Sequence, residues 1–120
     1  MYLNQLTIIG FTGQDADFHF TSNGMPVTTI SVATKESWKT TEGEWQSRTD
    51  WHRVVAFGKL AEYAKTLAKG THVMIQGTLR SREYEKDGVS HRVFELRADT
   101  IAKLDRAERR EERETEAIDG

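Results

Sequence analysis

Short runs of alternating apolar and polar residues, each closed by a turn signal, recur along the chain. Leu6, Ile8 and Gly10 alternate with Thr7, Ile9 and Phe11, and this β-branched run suits a strand more than a helix. Gly10 and Gly13 then permit a bulge or tight bend. Phe18 to Phe20 is a second short apolar stretch. It runs into Ser22-Asn23-Gly24, where Asn-Gly supplies the positive φ angles of a hairpin turn. Val27 to Thr34 reads as the next strand, with Pro26 at its entrance, where a missing N–H costs least. The polar run from Trp38 to Trp45, centred on Gly43, reads as a long hairpin loop. Gln46 to Phe57 carries apolar and aromatic residues on both parities, as a strand covered on both faces would.

The period then changes. Leu60, Tyr63, Ala64, Leu67 and Ala68 form one helical stripe, and Lys69-Gly70 supplies a basic last turn and a glycine stop. Beyond it Val73, Ile75, Gly77 and Leu79 share one strand face, Lys86-Asp87-Gly88 makes a turn, and Val89 to Ala98 returns with Phe94, Leu96 and Ala98 on the inner parity. Five strands with one helix between the third and fourth predict an all-β fold, a partly open five-stranded Greek-key barrel of the oligonucleotide-binding kind (OB-fold), over residues 1–104. Residues 105–120, beginning DRAERREERETEAI, have no apolar stripe and are expected to form a charged, solvated helical or disordered C-terminal extension.

One domain is also what 120 residues allow. The absence of cysteine removes disulfides, thiolate metal sites and thiol catalysis, and suits a reducing cytoplasm. No apolar run approaches the roughly 20 residues that span a bilayer, so a soluble, cytoplasmic protein is expected. A formal net charge of -2 argues at first against a polyanionic partner. Its distribution argues otherwise: residues 35–97 hold 12 Lys+Arg against 9 Asp+Glu, while residues 105–120 hold 4 Arg against 7 acids.

Catalytic and nucleotide signatures are missing, with no phosphate loop, no G-x-G-x-x-G and no H-E-x-x-H. The four histidines fall in different elements, so neither a metal nor another cofactor is expected. What stands out is aromatic and basic residues interleaved at strand spacing. Trp45, Trp51, Arg53 and Phe57 share one parity, and Arg80, Arg82 and Tyr84 share the parity opposite the apolar Val73, Ile75 and Leu79. The second row therefore projects outward. For the first, parity leaves both faces open as the interior, because His52, Val54 and Ala56 opposite are also moderately apolar. Single-stranded nucleic acid needs such a combination: every base has a π-face and every nucleotide a charge.

On these residues the chain resembles the bacterial-type single-stranded DNA-binding proteins over about residues 1 to 104. The resemblance is carried by Gly13-Gln14-Asp15, by Ser31-Val-Ala-Thr-Lys-Glu-Ser-Trp38, and above all by Asp50-Trp-His-Arg-Val-Val-Ala-Phe-Gly-Lys-Leu-Ala-Glu62. It implies base stacking by Trp38, Trp51, Phe57 and Tyr84, and phosphate contacts by Lys35, Arg53, Lys59, Lys69, Arg80 and Arg82. It further implies His52 at a subunit interface and a homotetramer; with the catalytic signatures missing, no enzymatic activity is expected. Tyr84 stands where some members have tryptophan, and Glu83 where a lysine can occur. The family's acidic tip ending in Pro-Phe has no counterpart here, so recruitment of replication and repair proteins is not implied.

Rival readings are an adaptor barrel that contacts protein, a barrel for single-stranded RNA, and a metal-dependent nuclease. Asp50, Glu62 and Glu95 are too scattered over the elements for the last. An adaptor would leave the two aromatic and arginine rows unexplained.

Overall fold

The computed structural model describes residues 1–104, and the charged extension at 105–120 lies outside the described residues. The order is β1 (Leu6–Thr12), β2 (Asp17–Phe20), β3 (Pro26–Lys39), β4 (Trp45–Phe57), α1 (Lys59–Ala64), β5 (His72–Lys86) and β6 (Val89–Lys103). Five strands form a ring, β1-β5-β6-β4-β3, and β1 returns to β3. β2 stands outside it as an edge strand hairpinned onto β3. The helix thus falls between the third and fourth barrel strands, as the sequence predicts.

Two short seams close the ring. β1 meets β3 only through Phe11↔Ala33 and Thr12↔Val32, and β4 runs parallel to β6 through Val54↔Leu96 and Val55↔Arg97. Inside lie Ile8, Ile30, Val32, Val54, Ala56, Val73, Ile75, Leu96, Ala98 and Ile101, with Ala61, Ala64 and Leu67 packed against them. Each fully buried Val, Leu or Ile side chain of this set contributes about 1.5–3 kcal/mol. The buried hydroxyls of the barrel are satisfied: Thr28 Oγ1 donates to the Ala61 carbonyl at 2.6 Å, and Thr12 Oγ1 to the Ala68 carbonyl at 2.7 Å.

The helix is shorter than the stripe predicts and its buried face is rotated. It ends at Ala64; Ala64 and Leu67 are buried as the stripe predicts, but Ala61 joins them while Tyr63 and Ala68 are exposed. After Ala64 the bonding tightens to three-residue spacing, Thr66 N–H to the Tyr63 carbonyl and Leu67 N–H to the Ala64 carbonyl. The Ala68 carbonyl, which a longer helix would use, is taken by the hydroxyls of Thr12 and Thr71.

Two hairpins use one five-residue turn. In Thr21-Ser-Asn-Gly-Met25 and Thr40-Thr-Glu-Gly-Glu44 the Thr N–H donates to the fifth carbonyl, the Gly N–H to the Thr carbonyl, and the fifth N–H to Thr Oγ1. Asn23 does not take the positive φ that an Asn-Gly pair offers, whereas Asp87 and Gly88, at 54° and 77°, form the two-residue turn expected between the last strands. The second five-residue turn also shortens the loop read at Trp38 to Trp45, because the β3–β4 ladder continues to Trp38↔Gln46 and Lys39↔Trp45.

Both long hairpins outrun the barrel. Leu79 and Phe94 hold the inner parity expected of them, yet are 45% and 58% exposed because they stand past its rim. A bulge between Gln76 and Gly77 lets β6 advance an extra residue, Asp99, so that Ala98 and Ile101 both reach the core. Gly77 is required there: a Cβ would fall 1.9 Å from the Arg97 carbonyl oxygen.

Candidate nucleic-acid interface

Burial settles the face that parity leaves open. Val54 and Ala56 are buried inside the barrel, so Trp51, Arg53 and Phe57 lie on the outer surface of β4. Trp51 is 61% exposed, and its ring rests on Gly13, whose Cβ would sit 2.1 Å from the indole Cζ3. The bend glycine of the sequence is thus a seat for the tryptophan. Val55 shares the outer parity and is nevertheless buried, which is why both faces look apolar in the sequence. Lys69 joins Trp51, Gly13, Gln14 and Ser31 around one open depression.

Glu95 of β6 ties the two predicted rows into one surface. Its carboxylate accepts from Arg53 Nε at 3.0 Å through Oε2 and pairs with Arg82 Nε at 3.5 Å through Oε1, and its side chain is only 16% exposed. Both arginines use Nε for this pairing. Arg80 faces Glu95 in register, and farther out the Tyr84 ring stacks on His91 with centroids 5.2 Å apart. Acidic Glu83 and Glu85 hold the opposite parity, and Glu83 pairs with Arg92.

The β3–β4 hairpin is segregated in the same way. Directly paired residues share a face, so Lys35, Lys39, Trp45 and Trp51 lie together with Ser37, Ser47 and Thr49. Glu36, Arg48, Asp50 and Trp38 occupy the other face, where Arg48 and Asp50 form an ion pair. The structure therefore brings Lys35, Trp51, Arg53, Lys69, Arg80 and Arg82 onto the outer faces, places Lys59 exposed at the start of α1, and sets Trp38 on the opposite side of its ribbon from Trp51. Trp45, 71% exposed beside Lys39, extends the Trp51 row, as its shared parity in the sequence implied. His52 is half-buried on the inner parity, its Nε2 2.8 Å from Thr34 Oγ1.

Sequence reasoning missed two features. Arg97 lies over the Phe57 ring, 4.4 Å from its centroid. On the far side of the barrel Ile9 and Phe11 are exposed on β1, opposite Met74 and His72 of β5, with Phe11 stacked on His72 at 4.5 Å. The signal for the second was present, since Thr7, Ile9 and Phe11 are themselves largely apolar. Among the described residues no cluster of His, Asp and Glu could hold a metal ion, and no helix is long and apolar enough to cross a membrane.

A closed five-stranded barrel with outward aromatic and basic rows defines an oligonucleotide-binding module. The sequence model of the single-strand binding protein family matches residues 3–104, and the chain belongs to that family. It is 39% identical over 105 residues to single-stranded DNA-binding protein 1 of Xylella fastidiosa (strain 9a5c), covering 85% of this chain and 77% of that protein. Among solved structures it is similar to the Plasmodium falciparum SSB in complex with ssDNA, with a TM-score of 0.80 and 29% identity, covering 88% of this chain and 97% of that one. A deletion mutant of the single-stranded DNA-binding protein from Thermus aquaticus matches with a TM-score of 0.75 and 29% identity, over 86% of this chain and 51% of that one.

Proposed function

We propose that the protein binds single-stranded DNA irrespective of sequence and protects it during replication, recombination or repair, as a binder without enzymatic activity. The observation that carries this reading is the contiguous surface on which Arg53 and Arg82 share the Glu95 carboxylate and the exposed Trp51 lines the same depression as Arg53 and Glu95. Bases stack on Trp38, Trp51 and Tyr84 and at the position of Phe57, and phosphates meet Lys35, Arg53, Lys59, Lys69, Arg80 and Arg82. Stacking reads only the π-face common to all bases, so binding tolerates any sequence. A duplex hides those faces, so it is excluded from the same surface.

Four copies assemble into a homotetramer, with His52 at an interface and the strand wrapped over the outer rows. The apolar face of Ile9, Phe11 and Met74, left uncovered by the described elements, supports burial against a second copy. Light scattering at micromolar concentration should give about 55 kDa, four times the 13.7 kDa chain. Tryptophan fluorescence tests the binding itself. Oligo-dT should quench it strongly and a duplex of equal length should not, whereas equal affinity for the duplex would contradict the reading.

A further inference from the structure

Phe57 is expected to stack a base, yet one side of its ring is covered by Arg97. The parallel seam accounts for this arrangement. Arg97 pairs with Val55, two residues from Phe57 on the same outer face, and Gly77 lets the Arg97 backbone lie close against β5. Arg97 is exposed, and among the described residues no carboxylate pairs with it. That separates it from Arg53 and Arg82, which share Glu95.

We propose that Arg97, and not the phenyl ring beneath it, is the platform that meets a base at this position of the strand. This deepens the single-stranded DNA reading and rests on it. A guanidinium is planar and more weakly hydrated than an ammonium, so it stacks on an aromatic ring and can carry a base on its other side. The ring holds the cation through its quadrupole at a distance well inside the roughly 6 Å at which such interactions act. Phe57 is then a positioning residue, and the layers run phenyl, guanidinium, base. Lysine has the charge but no plane, so it can take a phosphate and cannot replace the stack.

The experiment compares wild type, Arg97→Lys, Arg97→Ala, Phe57→Leu and the Phe57→Leu/Arg97→Lys pair, binding oligo-dT across a salt series. Thermal melting confirms that each is folded. Arg97→Lys should bind about fivefold more weakly than wild type at fixed salt with an unchanged slope of log K against log salt, because only the plane is removed. Arg97→Ala should be weaker still, with a slope shallower by about 0.7, as expected when one phosphate fewer is neutralised. In the Phe57→Leu background the further weakening on Arg97→Lys should largely disappear, since leucine cannot hold the guanidinium by its quadrupole.

Arg97→Lys at wild-type affinity with a shallower slope for Arg97→Ala would make Arg97 a plain phosphate ligand and overturn the proposal. Tighter binding by Arg97→Ala would also overturn it, since Arg97 would then be a cover over Phe57. Failure of the wild type to bind oligo-dT would instead overturn the single-stranded DNA reading, before any variant is measured.

Discussion

The barrel and the two hairpins that project from it are built from the same strands and obey different rules. Inside the ring, Val54, Val73, Ile75 and Leu96 are almost wholly buried, and buried hydroxyls such as Thr28 are bonded. Beyond the rim, from Thr34 to Arg48 and from Leu79 to His91, both faces of each ribbon are largely exposed to solvent and carry charge of different sign. On the proposed reading stability therefore resides inside the ring, and recognition on its outer face and along the hairpins that extend it. A side chain that has left the core is free to meet a ligand, and the ladder of main-chain hydrogen bonds keeps its direction fixed.

Substitutions should separate the two regions. Ile75→Ala, in the barrel, should lower unfolding stability by about 2–5 kcal/mol, seen as a large drop in melting temperature, while the fraction that remains folded still binds. Trp51→Ala should do the reverse, weakening oligo-dT binding by about 1–3 kcal/mol with little change in melting. If Trp51→Ala unfolds the protein, the outer face assigned to it is wrong. Gly13→Ala lies at the boundary, because its Cβ would displace the Trp51 ring from its seat. It should weaken binding with only a small effect on melting, since the exposed ring can move.

The face on which each tryptophan stands is tested by a smaller difference. Trp45→Ala, on the lysine-bearing face, should weaken binding of a long oligo-dT more than Trp38→Ala on the acidic face. A short oligonucleotide should be insensitive to Trp45→Ala, since six residues of strand place it roughly 20 Å from Trp51. The smallest change is expected from Glu95→Gln, which removes the carboxylate between Arg53 and Arg82. Affinity should rise modestly at low salt and converge with wild type as salt screens the exposed cations.

The contrast also decides what could be read in the sequence. Within the barrel, burial enforces alternation, so the runs at Leu6, Val27, Val73 and Leu96 were legible as strands and the helix between the third and fourth was legible from its period. Past the rim no face is buried, and the pattern vanishes. Trp38 to Trp45 therefore looked like a loop although most of its flanks are paired strand, and Leu79 and Phe94 looked like core although the parity they follow has run out of barrel. The outward arginine row was legible because Val73 and Ile75 occupy the other parity. The face of Trp51 was not, because Val55 makes the outer side apolar as well. Nothing local marks Arg97 or Glu95, whose roles arise from a seam between strands far apart in sequence.

The central claim is that the strand's phosphates cross the surface around the shared carboxylate. An Arg53→Ala/Arg82→Ala double variant, titrated with oligo-dT across a salt series, tests it most directly. The slope of log K against log salt should become shallower by about 1.4, two phosphates at about 0.7 each, while melting stays near that of the wild type. An unchanged slope in a folded double variant would place the DNA elsewhere and contradict the account.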